Sequence, residues 1–166
     1  MVKLTEIVAD KAIVPALKSN DRDGVILELV DALVAGGAAP GKIREELASK
    51  VLEREKRGST GFGRGVAVPH VKHKGVAKMA AAIGLSQRGV DFNALDKQPV
   101  YSVVLLLSPE DKPEEHLQAM EVIFKNLSKD TFRRFLRQAG SAEDVRTLLE
   151  EADGQHLGGG GAGGPA

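Results

Sequence analysis

The sequence predicts an α/β sandwich in a single domain. Three patterns carry that reading: apolar residues at helical spacing from Val25 to Leu33 and from Ile43 to Val51, a nearly continuous apolar run from Pro99 to Leu107, and a return to helical spacing beyond Pro113. Helices first, strands next and helices last leave the strands to form a sheet that the helices cover.

Each element has its own signal. Asn20, Asp21 and Asp23 supply N-cap candidates for a helix carrying Val25, Ile26, Leu29, Val30 and Leu33, which Gly36 and Gly37 end. Pro40 opens a second helix, with Ile43, Leu47 and Val51 on one stripe and Gly58 past its end. Residues 59–65 read as a glycine-punctuated loop. Val66-Ala67-Val68 and the segment from Ala80 to Leu85 read as short strands, and Pro99–Leu107 as a strand buried on both faces. Leu117, Met120, Ile123, Phe124 and Leu127 then fall at helical spacing. Asp130 is placed to cap a helix containing Phe132, Phe135 and Leu136, and Ser141 with Asp144 resembles a capping box before Val145, Leu148 and Leu149. The folded domain is expected at residues 1–153, followed by a disordered glycine-rich tail at 154–166, whose composition buries too little apolar surface to offset its ordering entropy.

Composition narrows the function. The chain has 166 residues, 23 basic and 23 acidic, so its formal net charge is zero and no global field draws it to nucleic acid or anionic lipid. Any anion site must be local. With no cysteine there is no disulfide, thiolate metal site or cysteine nucleophile. No apolar stretch approaches the ~20 residues of a membrane span, and no signal-like apolar core follows Met1, so a cytoplasmic protein without direct membrane insertion is expected.

The segment from Arg54 to His70 holds most of the chemistry. Glycines at 58, 61, 63 and 65 permit close approach to a ligand, and Ser59 and Thr60 add hydroxyls, so the loop reads either as an anion cradle or as a turn-rich surface loop. A P-loop needs Gly-Lys-Ser/Thr opening a helix, and a dinucleotide fold needs its strand before the glycines; here the glycines lead into a strand. A nucleotide- or sugar-phosphate-binding module is therefore the weakest reading.

His70 follows Pro69 where the chain is expected to leave the sheet. A neutral imidazole there is a competent nucleophile toward an activated phosphoryl group, with Arg54, Ser59, Thr60 and loop N–H groups such as that of Gly61 as donors to the phosphoryl oxygens. His116 lies in the first turn of the helix that Pro113 opens, and its spacing to Met120, Ile123 and Leu127 turns it inward. It is either a satisfied core histidine or a partner to His70. His70 and His73 form His-x-x-His, yet no neighbouring Asp, Glu or Cys completes a ligand set, so no metal and no cofactor is expected. Phe62 and Val71 are candidates for a docking patch or for core. Arg64, Lys72 and Lys74 are candidates for steering an acidic partner or for a solvated rim.

The ordered string Arg54-Glu-x-x-Gly-Ser-Thr-Gly-Phe-Gly-x-Gly-Val-Ala-Val-Pro-His70 resembles the active-site segment of the enzyme IIA domains of the phosphotransferase system, in the fructose, mannitol and nitrogen-regulatory class. The likeness extends through Phe92-x-Ala-Leu-Asp-x-Gln-Pro-Val100, the strand Val103–Leu107 and the His116-Leu117 helix, and so covers most of residues 1–150. It implies a mixed β-sheet flanked by helices and a phosphocarrier. His70 would accept a phosphoryl group from an HPr-type protein and pass it to a IIB component, with Arg54 and His116 as the other site residues. The alternative it implies is a regulatory binding protein of the nitrogen branch, controlled by the phosphorylation state of His70. Where related domains have an asparagine in the loop, this sequence has Arg64.

Overall fold

The structure is a computed structural model that describes residues 2–158, with side chains through residue 154. In order it contains α1 (Leu4–Ile7), β1 (Val8–Val14), α2 (Arg22–Ala35), a 3-10 turn (Gly41–Ile43), α3 (Arg44–Arg57), β2 (Gly61–Gly63), β3 (Val66–Ala67), β4 (His70–His73), β5 (Ala80–Val90), β6 (Val100–Pro109), α4 (Pro113–Leu127), α5 (Asp130–Gln138) and α6 (Ala142–Gly158). The expected sandwich is present, as one open mixed sheet with helices on both faces.

β6 organises the sheet. One of its edges pairs antiparallel with β5, which in turn pairs parallel with β1; the other edge pairs parallel first with β3 and then with β4, and β3 carries β2 on its far side. β3 and β4 are successive segments along one edge, separated by Val68 and Pro69. Proline has no N–H to give the ladder, although the Pro69 carbonyl still accepts from Leu106 N–H at 3.0 Å.

The continuous apolar run has the predicted consequence. Val103, Leu105 and Leu107 join a core beneath α2 and α3, while Val104 and Leu106 join a second core beneath α4, α5 and α6. Alternation along the strand means that even-numbered residues of β6 face α4. Several caps also match expectation. Asp21 accepts from Gly24 N–H at 2.7 Å to open α2, Gly58 ends α3, and Ser141 Oγ accepts from Asp144 N–H at 3.1 Å to open α6.

Other features differ from the sequence reading. β1 has no period-2 signal, because its register slips between Val8 and Ile13 and leaves Asp10 and Lys11 exposed in the middle of the strand. Gly61–Gly63 is a short strand rather than loop, and Gly61 is required there: a Cβ would come within 2.9 Å of the Ala94 Cβ. Leu117 is exposed, at 61 %, on the solvent side of α4. Asp130 is the first residue of α5 rather than its cap, and pairs with Arg133 one turn on. α6 continues to Gly158, past the expected domain end at 153. The remainder of the expected tail, 159–166, lies outside the described residues.

Asp153 fastens α6 to α1: its carboxylate accepts from Leu4 N–H at 2.8 Å, Thr5 N–H at 3.1 Å and the Thr5 hydroxyl at 2.6 Å. Removing it strands a buried N–H. Asp153→Ala is expected to lower unfolding free energy by about 1–3 kcal/mol, seen as a lower urea midpoint with unchanged m-value, and Asp153→Asn to recover part of the loss.

Candidate active site

The parallel register of β4 on β6 pairs His70 with Leu106 and Lys72 with Ser108. Because Leu106 belongs to the core under α4, His70, Lys72 and Ser108 all lie on the sheet face that α4 covers. His70 therefore begins a strand, rather than marking where the chain leaves the sheet. Its orientation follows from pairing along the whole edge.

α4 brings His116 to the same place. Pro113 is its first residue, which puts His116 in the opening turn, where its amide bonds Lys112 O at 3.1 Å. The imidazole centroids of His70 and His116 are 5.6 Å apart, with planes inclined at 48°. His70 is half-buried; His116 is 7 % exposed. Two residues 46 positions apart in sequence thus share one spot.

The hydrogen bonds orient both rings. His70 Nδ1 is 2.7 Å from the Val68 carbonyl oxygen. A carbonyl only accepts, so Nδ1 carries a proton and, in the neutral ring, the lone pair lies on Nε2. His116 Nδ1 is 2.6 Å from Ser108 Oγ, a hydroxyl with no solvent exposure. Burial pushes the His116 pKa down to about 4, reinforced by its neighbours His70 and Lys72. At neutral pH, His116 is an uncharged imidazole tied to Ser108.

The loop residues expected to contact phosphate have partners within the protein. Ser59 Oγ donates to Phe92 O at 2.7 Å and accepts from Gly61 N–H at 3.0 Å. Thr60 donates its N–H at 2.7 Å and its hydroxyl at 2.8 Å to Glu55, a carboxylate only 2 % exposed. Ser59, Thr60 and Gly61 therefore brace the loop that leads into β3. Arg54 sits in the last turn of α3, where its Nη1 donates to Gly58 O at 2.9 Å, tying the guanidinium to the start of this loop.

His73 points to the other sheet face. Its Nε2 meets Glu46 of α3 and its Nδ1 accepts from Gly75 N–H at 2.8 Å, while Glu46, beside His73, has its carboxyl held below the usual range. His70 and His73 hence cannot grip one ion. Phe62 packs on Phe124 of α4 with centroids 4.9 Å apart, and Val71 leans on the core beneath α2 and α3.

Sequence reasoning missed four parts of the site: the buried Glu55 brace, the Val68 carbonyl, Lys72 as a charge acting on His116, and Ser108. Only Ser108 left a visible trace, a single hydroxyl at the end of an apolar strand shortly before a histidine.

The α/β sandwich thus places, on one sheet face, a His70 ring whose Nε2 has no partner among the described residues beside a second, neutral imidazole. Residues 6–152 match the family described as "Phosphoenolpyruvate-dependent sugar phosphotransferase system, EIIA 2". The chain belongs to this family of phosphocarriers. It is 34% identical over 88% of its length to a nitrogen regulatory protein of Bradyrhizobium diazoefficiens, covering 94% of that protein. It is 32% identical over 92% of its length to the fructose-specific EIIABC component of Bacillus subtilis, of which it spans 24%. The crystal structure of nitrogen regulatory protein IIA-Ntr from Neisseria meningitidis superposes with a TM-score of 0.80 at 31% identity, covering 88% of this chain and 98% of that one.

The His116 shift fixes a pH dependence. Between about 6.5 and about 4 the unfolded chain binds a proton at residue 116 that the folded chain does not, so folding stability falls as pH drops through this window and is flat above it. Urea unfolding across pH 4–7 is expected to show this slope, and His116→Gln to flatten it.

Proposed function

We propose that His70 Nε2 is the phosphoryl acceptor and that His116 and Arg54 stabilise the phosphoryl dianion. The observation that carries this reading is the Nδ1–H to Val68 carbonyl bond, which leaves Nε2 as the nucleophilic nitrogen and keeps the ring from rotating. The Nε2 lone pair forms the new N–P bond on an HPr-type donor's phosphohistidine, and the donor's N–P bond breaks with its electron pair staying on the donor ring nitrogen. The reverse exchange, to a IIB component, empties the site. Transfer between nitrogen nucleophiles is nearly isoenergetic, so the protein contributes positioning and charge stabilisation.

His116 suits that task because it is neutral. With the Ser108 hydroxyl donating to Nδ1, the proton of His116 rests on Nε2, where it donates to a phosphoryl oxygen. An arriving dianion then favours the protonated ring, which strengthens the contact as charge accumulates. Arg54 uses one N–H on Gly58 O, and its remaining donors serve the dianion; Ser59, Thr60 and Gly61 support it through the loop they brace. The setting for this exchange is the cytoplasm.

A second reading is favoured by the match along 94% of a nitrogen regulatory protein: phosphorylation of His70 alters a surface that a regulatory target reads. Pull-downs with the phosphorylated chain and with His70→Ala separate the two. Partner sets that differ between them support regulation, and identical sets beside efficient transfer to a sugar-specific IIB support transport.

Incubation with phosphoenolpyruvate, enzyme I and an HPr-type carrier is expected to place one acid-labile phosphate on each chain, with a phosphorus resonance assigning it to Nε2. His70→Ala stays unlabelled. His116→Ala loses a hydrogen bond to a charged group worth about 1.5–3 kcal/mol, so labelling slows by about ten- to hundredfold. Equal labelling of His70→Ala, or a phosphate on Nδ1, defeats the proposal.

A further inference from the structure

Tyr101 and Ser102 lie near the start of β6, four to five residues and so about 13–17 Å along the strand from Leu106, the residue that pairs with His70. They floor a cleft of about 660 Å³, within the size range of small-molecule sites. One wall is the turn between β2 and β3, carrying Arg64, and the other is α5, carrying Arg133, Arg134 and Arg137. In a chain of zero net charge, four arginines beside two aspartates concentrate positive charge at one place.

The two carboxylates are occupied. Asp96 accepts from Arg64 N–H at 3.1 Å and from Gln98 N–H at 3.0 Å, while Asp130 pairs with Arg133 at 3.2 Å. Arg133 also donates to Leu127 O at 2.8 Å. The guanidinium groups of Arg64, Arg134 and Arg137, by contrast, have no acceptor among the described residues.

Arg137 is held in place without spending those donors. Its guanidinium carbon lies 3.5 Å from the centroid of the Tyr101 ring. The ring is itself fixed against Gly65 and Gly89, where added Cβ atoms would fall 3.1 Å and 3.0 Å from its carbons, and both glycines have positive φ. Stacking uses the π face of the guanidinium and leaves its in-plane N–H fork directed outward, the arrangement that receives a phosphate bidentately. Arg64 has φ +61, a region that disfavours residues with a Cβ, and its N–H bond to Asp96 holds it there, presenting its side chain from the opposite wall.

We propose that this cleft is a second anion site, separate from the histidine pair, which takes a small polyanion bearing two or more phosphoryl groups. Stacked Arg137 receives one group, and Arg64 and Arg134 receive the rest. No covalent step is involved.

Inorganic pyrophosphate is the probe, titrated into the labelled full chain and into its His70→Ala variant while amide resonances are followed. Saturable shifts at Gly65, Tyr101 and Arg137 are expected in both, with Kd about 1 mM or tighter. R137E and R64E are each expected to weaken binding by about tenfold or more, whereas K42E, an equal charge change outside the cleft, leaves it within about twofold. Arg137→Lys keeps the charge but loses the planar fork, and is expected to bind more weakly than the parent chain. The proposal is overturned by shifts confined to the surroundings of His70 and His116, by absence of saturation, by R137E and R64E binding like the parent, or by a hexaglutamate peptide binding more tightly than pyrophosphate, which would make the cleft a docking site for acidic protein.

Discussion

A strand buried on both faces dictates the arrangement of this molecule. Once β6 is packed between two helical layers, its alternation is set by the hydrophobic effect: a slip of one residue would carry Leu105 and Leu107 to the wrong core and turn Ser108 away from α4. Its neighbours inherit that register. β4 pairs with β6 in phase, so His70 faces α4 because Leu106 does. The position of His70 is thus an outcome of core packing, and the polar groups add only the final orientation of its ring.

That orientation comes from backbone rather than from another ionisable group. The Val68 carbonyl lies in the break between β3 and β4, where Pro69 interrupts the ladder and leaves the chain free to aim it at His70. A carbonyl only accepts, so it keeps the proton on Nδ1 of His70. His116 is controlled differently. Burial, helped by neighbouring His70 and Lys72, keeps it neutral, and Ser108 holds it from a position where no water competes. One imidazole is thus held by fixed geometry, and the other answers to the charge beside it.

The glycine loop illustrates how a segment can be rich in apparent ligands and yet be architectural. Its hydroxyls and amides look available in a linear reading. In three dimensions Glu55 takes both donors of Thr60, and Phe92 O takes the hydroxyl of Ser59, because the loop must cross from α3 to the sheet without leaving buried polar groups unpaired. The same loop then supplies Arg64 to a wall of the arginine cleft. One connection therefore supports two separate regions of the surface.

Local chemistry determined a good deal by itself. Periodicity located α2, α3, α4 and α6, the apolar run from 99 to 107 announced β6, and the order of elements gave the layered class, since burial of an amphipathic face and of an all-apolar strand are properties of the segment alone. The string ending at His70 pointed to phosphoryl chemistry. Tertiary structure decided the rest: the slipped β1, whose irregular pairing erases its alternation; the meeting of residues 70 and 116, which depends on strand register; and the commitments of Ser59, Thr60 and Ser108, whose partners lie across the fold or depend on how the chain turns. A side chain's type states which bonds it can form, but only the packed chain determines which of them it has already formed.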